Sequence, residues 1–226
     1  MSNLDLDYYR DGACVMPSKV NMADIELLRE EFALLVFKAG ARPFELSALV
    51  QKLISPTGCF GTALDQLSLA KARAVRVLAF DKTPESNWNL GWHQDRVIAV
   101  KQRKEIEGFD RWTIKNGVPH VEAPAHFLAD MFSMRLHLDD TGSTNGALKI
   151  IQGSAAKGKM NDSEVKECAS NSGAAICEAK IGDILAMKAL TVHASEPSQS
   201  PSHRRVLHID YCMSSLPMGL EWALDL

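Results

Sequence analysis

The chain lacks the marks of several large protein classes. It has no C-x-x-C pair, and its five cysteines (Cys14, Cys59, Cys168, Cys177 and Cys212) are scattered and odd in number. This argues against a disulfide framework or a cysteine-rich zinc site, favours a reducing compartment, and leaves each thiol as a small buried hydrophobe. No apolar run approaches the ~18 residues that cross a bilayer. The first residues, MSNLDLDYYR, are acidic and hold no apolar core of a secretory signal. A long basic run is also missing, and the formal net charge is −3. Neither nucleic acid nor an anionic membrane is therefore expected as a partner through bulk charge. Repeats, low-complexity tracts and linkers are absent. The expectation is one cytoplasmic domain over residues 1–226, working as a monomer or small homo-oligomer.

What is present is an ordinary globular composition, 46% hydrophobic and 23% charged over 226 residues, ample to bury a core. The first third, about residues 20–72, reads helical. Asn21 is placed to cap MADIELLREEFALLVFKAG, with Asp24 at the third position and Gly40 as a stop. Pro43 opens a second predicted helix, PFELSALVQKLIS, ended by Pro56 and Gly58, and a third is predicted over Ala63 to Ala72.

From about residue 74 to 213 the pattern changes to short strand-like runs: AVRVLAF, WHQDRVIAV, MFSMRLHLD, ALKIIQ, AAICEA, DILAM and RRVLHIDYCM. Turn residues such as TGSTNG separate them, which suggests a sandwich or barrel of the jelly-roll kind. The predicted fold is mainly β with flanking α-helices. Residues 96–130 fit no regular strand pattern after Val100 and read as a long loop or an insertion. Lys82, in FDKTPE, reads as a surface turn residue.

Chemistry concentrates in NWNLGWHQDRVIAV. On a strand, residues i and i+2 share a face, so His93 and Asp95 converge there and Gln94 turns away to pack or hydrogen-bond. His193 follows after a gap of 98 residues, and Arg204 comes eleven residues later. Two imidazoles and one carboxylate form the facial triad of non-heme Fe(II) oxygenases, which leaves coordination positions open for co-substrate and O2. A guanidinium fork is the side chain best shaped to hold the distal carboxylate of a chelating 2-oxo acid. Alternation on RRVLHIDY puts Arg204 with Val206, His208 and Asp210 on one face, and Arg205 with Leu207, Ile209 and Tyr211 on the other.

The segments FDKTPESNWNLGWHQD, RLHLDDTGSTNGALKIIQGS, IGDILAMKALTVHAS and HRRVLHIDY, in this order and spacing, resemble the phytanoyl-CoA dioxygenase-like family of Fe(II)/2-oxoglutarate-dependent oxygenases. The resemblance covers roughly residues 74–213 and implies a double-stranded β-helix, a cupin-like jelly-roll barrel. It also implies that His93, Asp95 and His193 bind iron, that Arg204 holds the distal carboxylate of 2-oxoglutarate and that Ser195 donates a hydrogen bond to it. Arg135 falls where relatives place another co-substrate contact, often an aromatic one. Asn145 matches a recurrent turn asparagine, and QGSAAKG departs from the Pro and His that relatives show around this Gly-Ser.

The implied activity is a dioxygenase reaction, by default hydroxylation of a small or medium organic molecule, with 2-oxoglutarate and O2 as co-substrates and succinate and CO2 as products. Asp95 argues against halogenation, because halogenating relatives lack that carboxylate. Arg76, His137 and Trp112 are candidate substrate contacts, and Arg76, Arg135 and His137 together hint at an anionic group. Two other readings stay open: a cupin-like metal lyase or isomerase without 2-oxoglutarate, and a catalytically silent ligand-binding barrel.

Overall fold

The computed structural model describes residues 6–35, 42–199, 202–217 and 219–224. Its helices are α1 (Tyr8–Asp11), α2 (Met22–Ala33), α3 (Ala48–Ile54), α4 (Cys59–Gln66), α5 (Ala125–Ala129) and α6 (Asp162–Ser170). Its strands are β1 (Ala13–Pro17), β2 (Arg42–Pro43), β3 (Arg73–Lys82), β4 (Leu90–His93), β5 (Val97–Ala99), β6 (Asp110–Lys115) and β7 (Val118–Glu122). They continue with β8 (Met131–His137), β9 (Leu148–Ile151), β10 (Ala174–Cys177), β11 (Asp183–Lys188), β12 (His193–Ser195) and β13 (Arg204–Cys212).

Strand alternation decides what lies inside. On β13 and β8, Leu207, Ile209, Tyr211, Phe132, Met134 and Leu136 join one apolar cluster with Ile25, Leu28 and Phe32 of α2 and Phe60 of α4. Phe132 and Tyr211 stack at 5.4 Å. Each such side chain contributes about 1.5–3 kcal/mol when fully buried, so the helices are held on this outer face. The opposite face, with Arg204, Val206 and His208 of β13 and Arg135 and His137 of β8, turns inward to line a cavity.

The strands form a six-stranded sheet (β1-β11-β8-β13-β3-β2) and a four-stranded one (β10-β9-β12-β4), with a three-stranded sheet (β5-β7-β6) beside them. Pairings among these strands are antiparallel. From β3 onward the chain passes back and forth between the two larger sheets. This is the predicted double-stranded β-helix, and the cavity lies between its two sheets.

Several boundaries differ from the sequence expectation. Asn21 caps α2 through Ala23 N, but Asp24 pairs with Lys52 of α3 at 2.8 Å instead of closing a capping box. The helix ends at Ala33, and Gly40, the expected stop, lies outside the described residues. Pro43 does not open a helix. It sits on edge strand β2 beside β3, a site that tolerates a missing N–H, and α3 begins at Ala48 with Ser47 as its cap. The third helix runs from Cys59 to Gln66, earlier than expected. It starts at once after Gly58, where a Cβ would lie 2.2 Å from Leu53 O, so the chain can turn that tightly only with glycine.

Residues 96–130 are not a loop. They fold into β5, β6, β7 and α5 over a second apolar cluster that includes Ile98, Val100, Val121 and Phe127. Strand β6 is exposed at nearly every position, so it shows no alternation that sequence could reveal. All five cysteines are free and buried. No helix among the described residues is long and apolar enough to cross a membrane.

Candidate metal centre

The expected strand WHQDRVIAV breaks after His93, and Asp95 lies in the gap between β4 and β5. Its position is therefore not set by strand alternation. The Asp95 N–H donates to Ala189 O at 2.9 Å, and its neighbour Gln94 pins the gap. Gln94 Nε2 donates to Gly158 O and Leu190 O, while Oε1 accepts from Met160 N. His193 opens β12, which pairs His193 with His93 across the ladder to β4.

The three side chains converge. One ligand atom from each of His93, Asp95 and His193 lies within 4.8 Å of the others. His93 Nε2 is 3.8 Å, and His193 Nε2 3.7 Å, from the Asp95 carboxylate. Both rings are oriented from behind: His93 Nδ1 faces Gly91 O at 2.8 Å and His193 Nδ1 faces Thr191 O at 2.9 Å. A carbonyl only accepts, so each Nδ1 carries the proton and each Nε2 presents a lone pair. Burial, countered only in part by Asp95, pushes His193 down to about 3, so the ring is the neutral form that a metal needs. Burial alone would raise Asp95, but His193, Arg135 and His93 hold it below its ordinary value. Buried His193 Nε2 has no hydrogen-bond partner. An orphaned lone pair beside a second one and a carboxylate fits a divalent ion with open positions.

A cationic group lies at one end of the cavity. Arg204 is buried, its NH1 donating to Gly146 O at 2.9 Å while Nε has no partner. Ser195 donates to the same carbonyl at 2.9 Å. Lys82 does not sit on the surface: it is fully buried, bonded to Ser195 Oγ at 2.8 Å and to Glu196 O, and its ammonium lies over Trp88. Burial, reinforced by the Arg204 guanidinium, pulls it down to about 7. A signal for Lys82 existed, because it shares a strand face with Arg76, Leu78 and Phe80. Of the arginine pair, Arg205 is the one spent on an ion pair, with Asp139 at 2.8 Å. Asp139 lies past the end of β8, bonded to that outward arginine.

Between the two ends runs a polar chain. Arg135 NH2 stands 3.7 Å from Asp95 Oδ2, and its Nε donates to His208 Nδ1 at 3.0 Å. That fixes the His208 proton on Nε2, which donates to Asp210 Oδ1 at 2.7 Å. Arg76 Nε donates to Asp210 Oδ2 at 2.6 Å. Arg135 thus stands beside the same Asp95 oxygen that His193 Nε2 faces. His137 accepts or donates at Thr141 Oγ1, 2.9 Å away, and burial pushes it down to about 3.

His93, Asp95, His193, Arg204, Ser195, Arg135, Arg76 and His137 all line one cavity of about 320 Å³, with Trp88 in its wall. Trp112 is not among the residues that line it. Its indole packs on the second apolar cluster and under Arg103. Trp92 packs outside the cavity against the cluster of Met160 and Val165.

The phytanoyl-CoA dioxygenase (PhyH) family matches residues 8–206. No curated protein matches the chain. Among solved structures, AviO1 from Streptomyces viridochromogenes Tue57 is 18% identical, with a TM-score of 0.58 and 93% of each chain covered. SnoK, a non-heme alpha-ketoglutarate-dependent carbocyclase of nogalamycin biosynthesis, is 14% identical, with a TM-score of 0.63 over 91% of this chain and 81% of its own. HygX from Streptomyces hygroscopicus, in its form with nickel and 2-oxoglutarate bound, is 15% identical, with a TM-score of 0.59 over 91% and 84%. At these identities the likeness is one of fold.

Proposed function

The chain belongs to the phytanoyl-CoA dioxygenase (PhyH) family, and from that premise we propose that it is an Fe(II)- and 2-oxoglutarate-dependent oxygenase that hydroxylates a small organic molecule. The observation that carries this reading is the pair of Nε2 lone pairs, fixed by Gly91 O and Thr191 O, that face the Asp95 carboxylate. His93, Asp95 and His193 would hold the iron. Arg204 would hold the distal carboxylate of 2-oxoglutarate, with Ser195 turning its proton from Gly146 O to it and Lys82 adding positive charge from behind Ser195, and this cationic end is what favours an oxygenase over a metal lyase or a silent barrel. Bound iron, with 2-oxoglutarate and O2, supplies the oxidising power and yields succinate and CO2.

The chain's own residues bind and orient. Gly91 and Thr191 carbonyls set the histidine tautomers, Gln94 anchors the segment that carries Asp95, and Arg135 stands beside its carboxylate. Leu78, Phe80, Trp88, Leu90, Leu148 and Val206 give the cavity apolar walls against which a hydrocarbon body would lie. Asp95 completes the protein's three donors, which supports hydroxylation over halogenation. SnoK, named a carbocyclase, marks ring closure as the competing outcome, decided by where the substrate is held. We place the enzyme in the cytosol as a single domain, monomeric or a small homo-oligomer, in keeping with its free buried cysteines.

The test is anaerobic addition of Fe(II) and 2-oxoglutarate, with observation of the visible iron-to-keto-acid charge-transfer band. We expect the band in the native chain and none in His93→Ala. Absence of the band in the native chain, or its persistence in the variant, would sink the assignment.

A further inference from the structure

Arg76 has capacity that the oxygenase reading does not use. It alternates on β3 with Leu78 and Phe80 and faces the cavity with them. Its Nε is committed to Asp210, yet among the described residues its NH1 and NH2 have no protein partner. About a quarter of the side chain is open. It also lines a small adjoining cavity together with Asp95.

We propose that Arg76 receives the carboxylate of the primary substrate, which makes the chain an oxygenase of small organic acids; this rests on the iron and 2-oxoglutarate reading. Three observations support it. The first is charge: Arg76, Lys115, Arg135 and Arg204 line the cavity against Asp95 alone, with Asp210 behind Arg76. An iron dication and a 2-oxoglutarate dianion cancel, so a positive excess remains to attract an anion. Lys115 adds its charge from β6 and has no ion-pair partner among the described residues.

The second is distance. Along the β3–β13 ladder, Lys82 is opposite Arg204 and Arg76 is opposite Asp210. Six residues of strand, about 20 Å of backbone, separate those rows, so the two arginines enter the one cavity from well-separated points of the ladder. The third is preorganisation. Asp210 is itself held by His208, and His208 by Arg135, so the Arg76 guanidinium is fixed before a ligand arrives and loses little freedom on binding.

The geometry also states the kind of acid. The two free nitrogens of one guanidinium match a planar carboxylate in bidentate fashion. Leu78, Phe80 and Trp88 offer apolar surface for a hydrocarbon body. The cavity of about 320 Å³ is at the low end of ligand sites, which run roughly 300–1,000 Å³, and it must also hold the co-substrate.

The test uses the full chain loaded with Zn(II) and saturating N-oxalylglycine, a non-reacting analogue of 2-oxoglutarate, so that the Arg204 end is filled. Hexanoate, 3-phenylpropanoate, their primary amides and phenyl phosphate are titrated by calorimetry and ligand-observed NMR. We expect at least one acid to bind ten-fold or more tighter than its amide. In Arg76→Gln, and in Arg76→Gln/Asp210→Asn, which leaves no stranded carboxylate, the acid should fall to the level of its amide while N-oxalylglycine affinity holds. Equal binding of acid and amide, undiminished acid binding in both variants, tighter binding of phenyl phosphate, or no acid binding at all beside bound N-oxalylglycine would each overturn the proposal. Failure of N-oxalylglycine to bind would instead refute the co-substrate reading beneath it, and the proposal with it.

Discussion

Replacing Arg204 by alanine gives the sharpest test of how the cavity divides its labour. Arg204 is 6% exposed, and among the described residues its guanidinium has one protein hydrogen bond, to Gly146 O, with its Nε orphaned. Removing one partner of a buried, hydrogen-bonded charge pair costs about 2–5 kcal/mol. Lys82 lies directly across the ladder and keeps a cation at that end. Loss of Arg204 also removes the charge that helps pull Lys82 down to about 7, so the lysine becomes more fully protonated at neutral pH. The penalty should therefore fall in the lower half of the range, about 2–3 kcal/mol, or roughly 30- to 150-fold in 2-oxoglutarate affinity. Anaerobic titration of 2-oxoglutarate onto the Fe(II) protein, read by the charge-transfer band, measures it, with Fe(II) affinity determined separately and expected to be nearly unchanged. Adding Lys82→Met should cost more in the Arg204→Ala background than in the native chain. Native-like 2-oxoglutarate binding by Arg204→Ala, or an equal loss of iron and 2-oxoglutarate, would refute this reasoning.

Other expectations follow from the same geometry. Lys82 sits near 7 in the folded chain and near ~10.4 when unfolded. Between these values the unfolded state holds the extra proton, so this group makes stability rise with pH across that window and leaves it flat below about 7. Urea midpoints from pH 6.5 to 10 should show that rise diminished in Lys82→Met. Gln94→Leu would strand Gly158 O, Leu190 O and Met160 N, at about 1–3 kcal/mol for a buried unpaired group. Denaturant unfolding should show a loss of at least that size, and weaker metal binding should accompany it. Gly146 has φ of +81°, and an added Cβ would meet Glu196 O at 2.7 Å and Lys82 Nζ at 2.8 Å. Gly146→Ala should cost about 1–3 kcal/mol in strain and weaken 2-oxoglutarate binding by displacing the carbonyl that Ser195 and Arg204 share; an unchanged affinity would refute that link. Divalent metal at about a hundred times its Kd should raise stability by about 2.7 kcal/mol, an effect that a chelator reverses and that His193→Ala lacks in thermal melts.

The sequence alone determined whatever local periodicity can encode. Alternation in RRVLHIDYC sorted Leu207, Ile209 and Tyr211 to the helix-covered face and Arg204, Val206 and His208 to the cavity, because a strand has a period of two. The residue types His93, Asp95 and His193 named a metal-binding chemistry before their distances were known. Tertiary structure decided where that periodicity stops. Asp95 lies in a strand break held by Gln94 and Ala189, not on the strand. The three-residue β12, too short to show a pattern, takes its place from neighbours on both sides. Exposed β6 has no apolar face to read. Lys82, behind the cavity wall, is tied to the lining residue Ser195, 113 residues away. The relay from Asp95 through Arg135, His208 and Asp210 to Arg76 crosses three strands. Each of these depends on pairing between segments far apart in the chain, which no window of neighbouring residues contains.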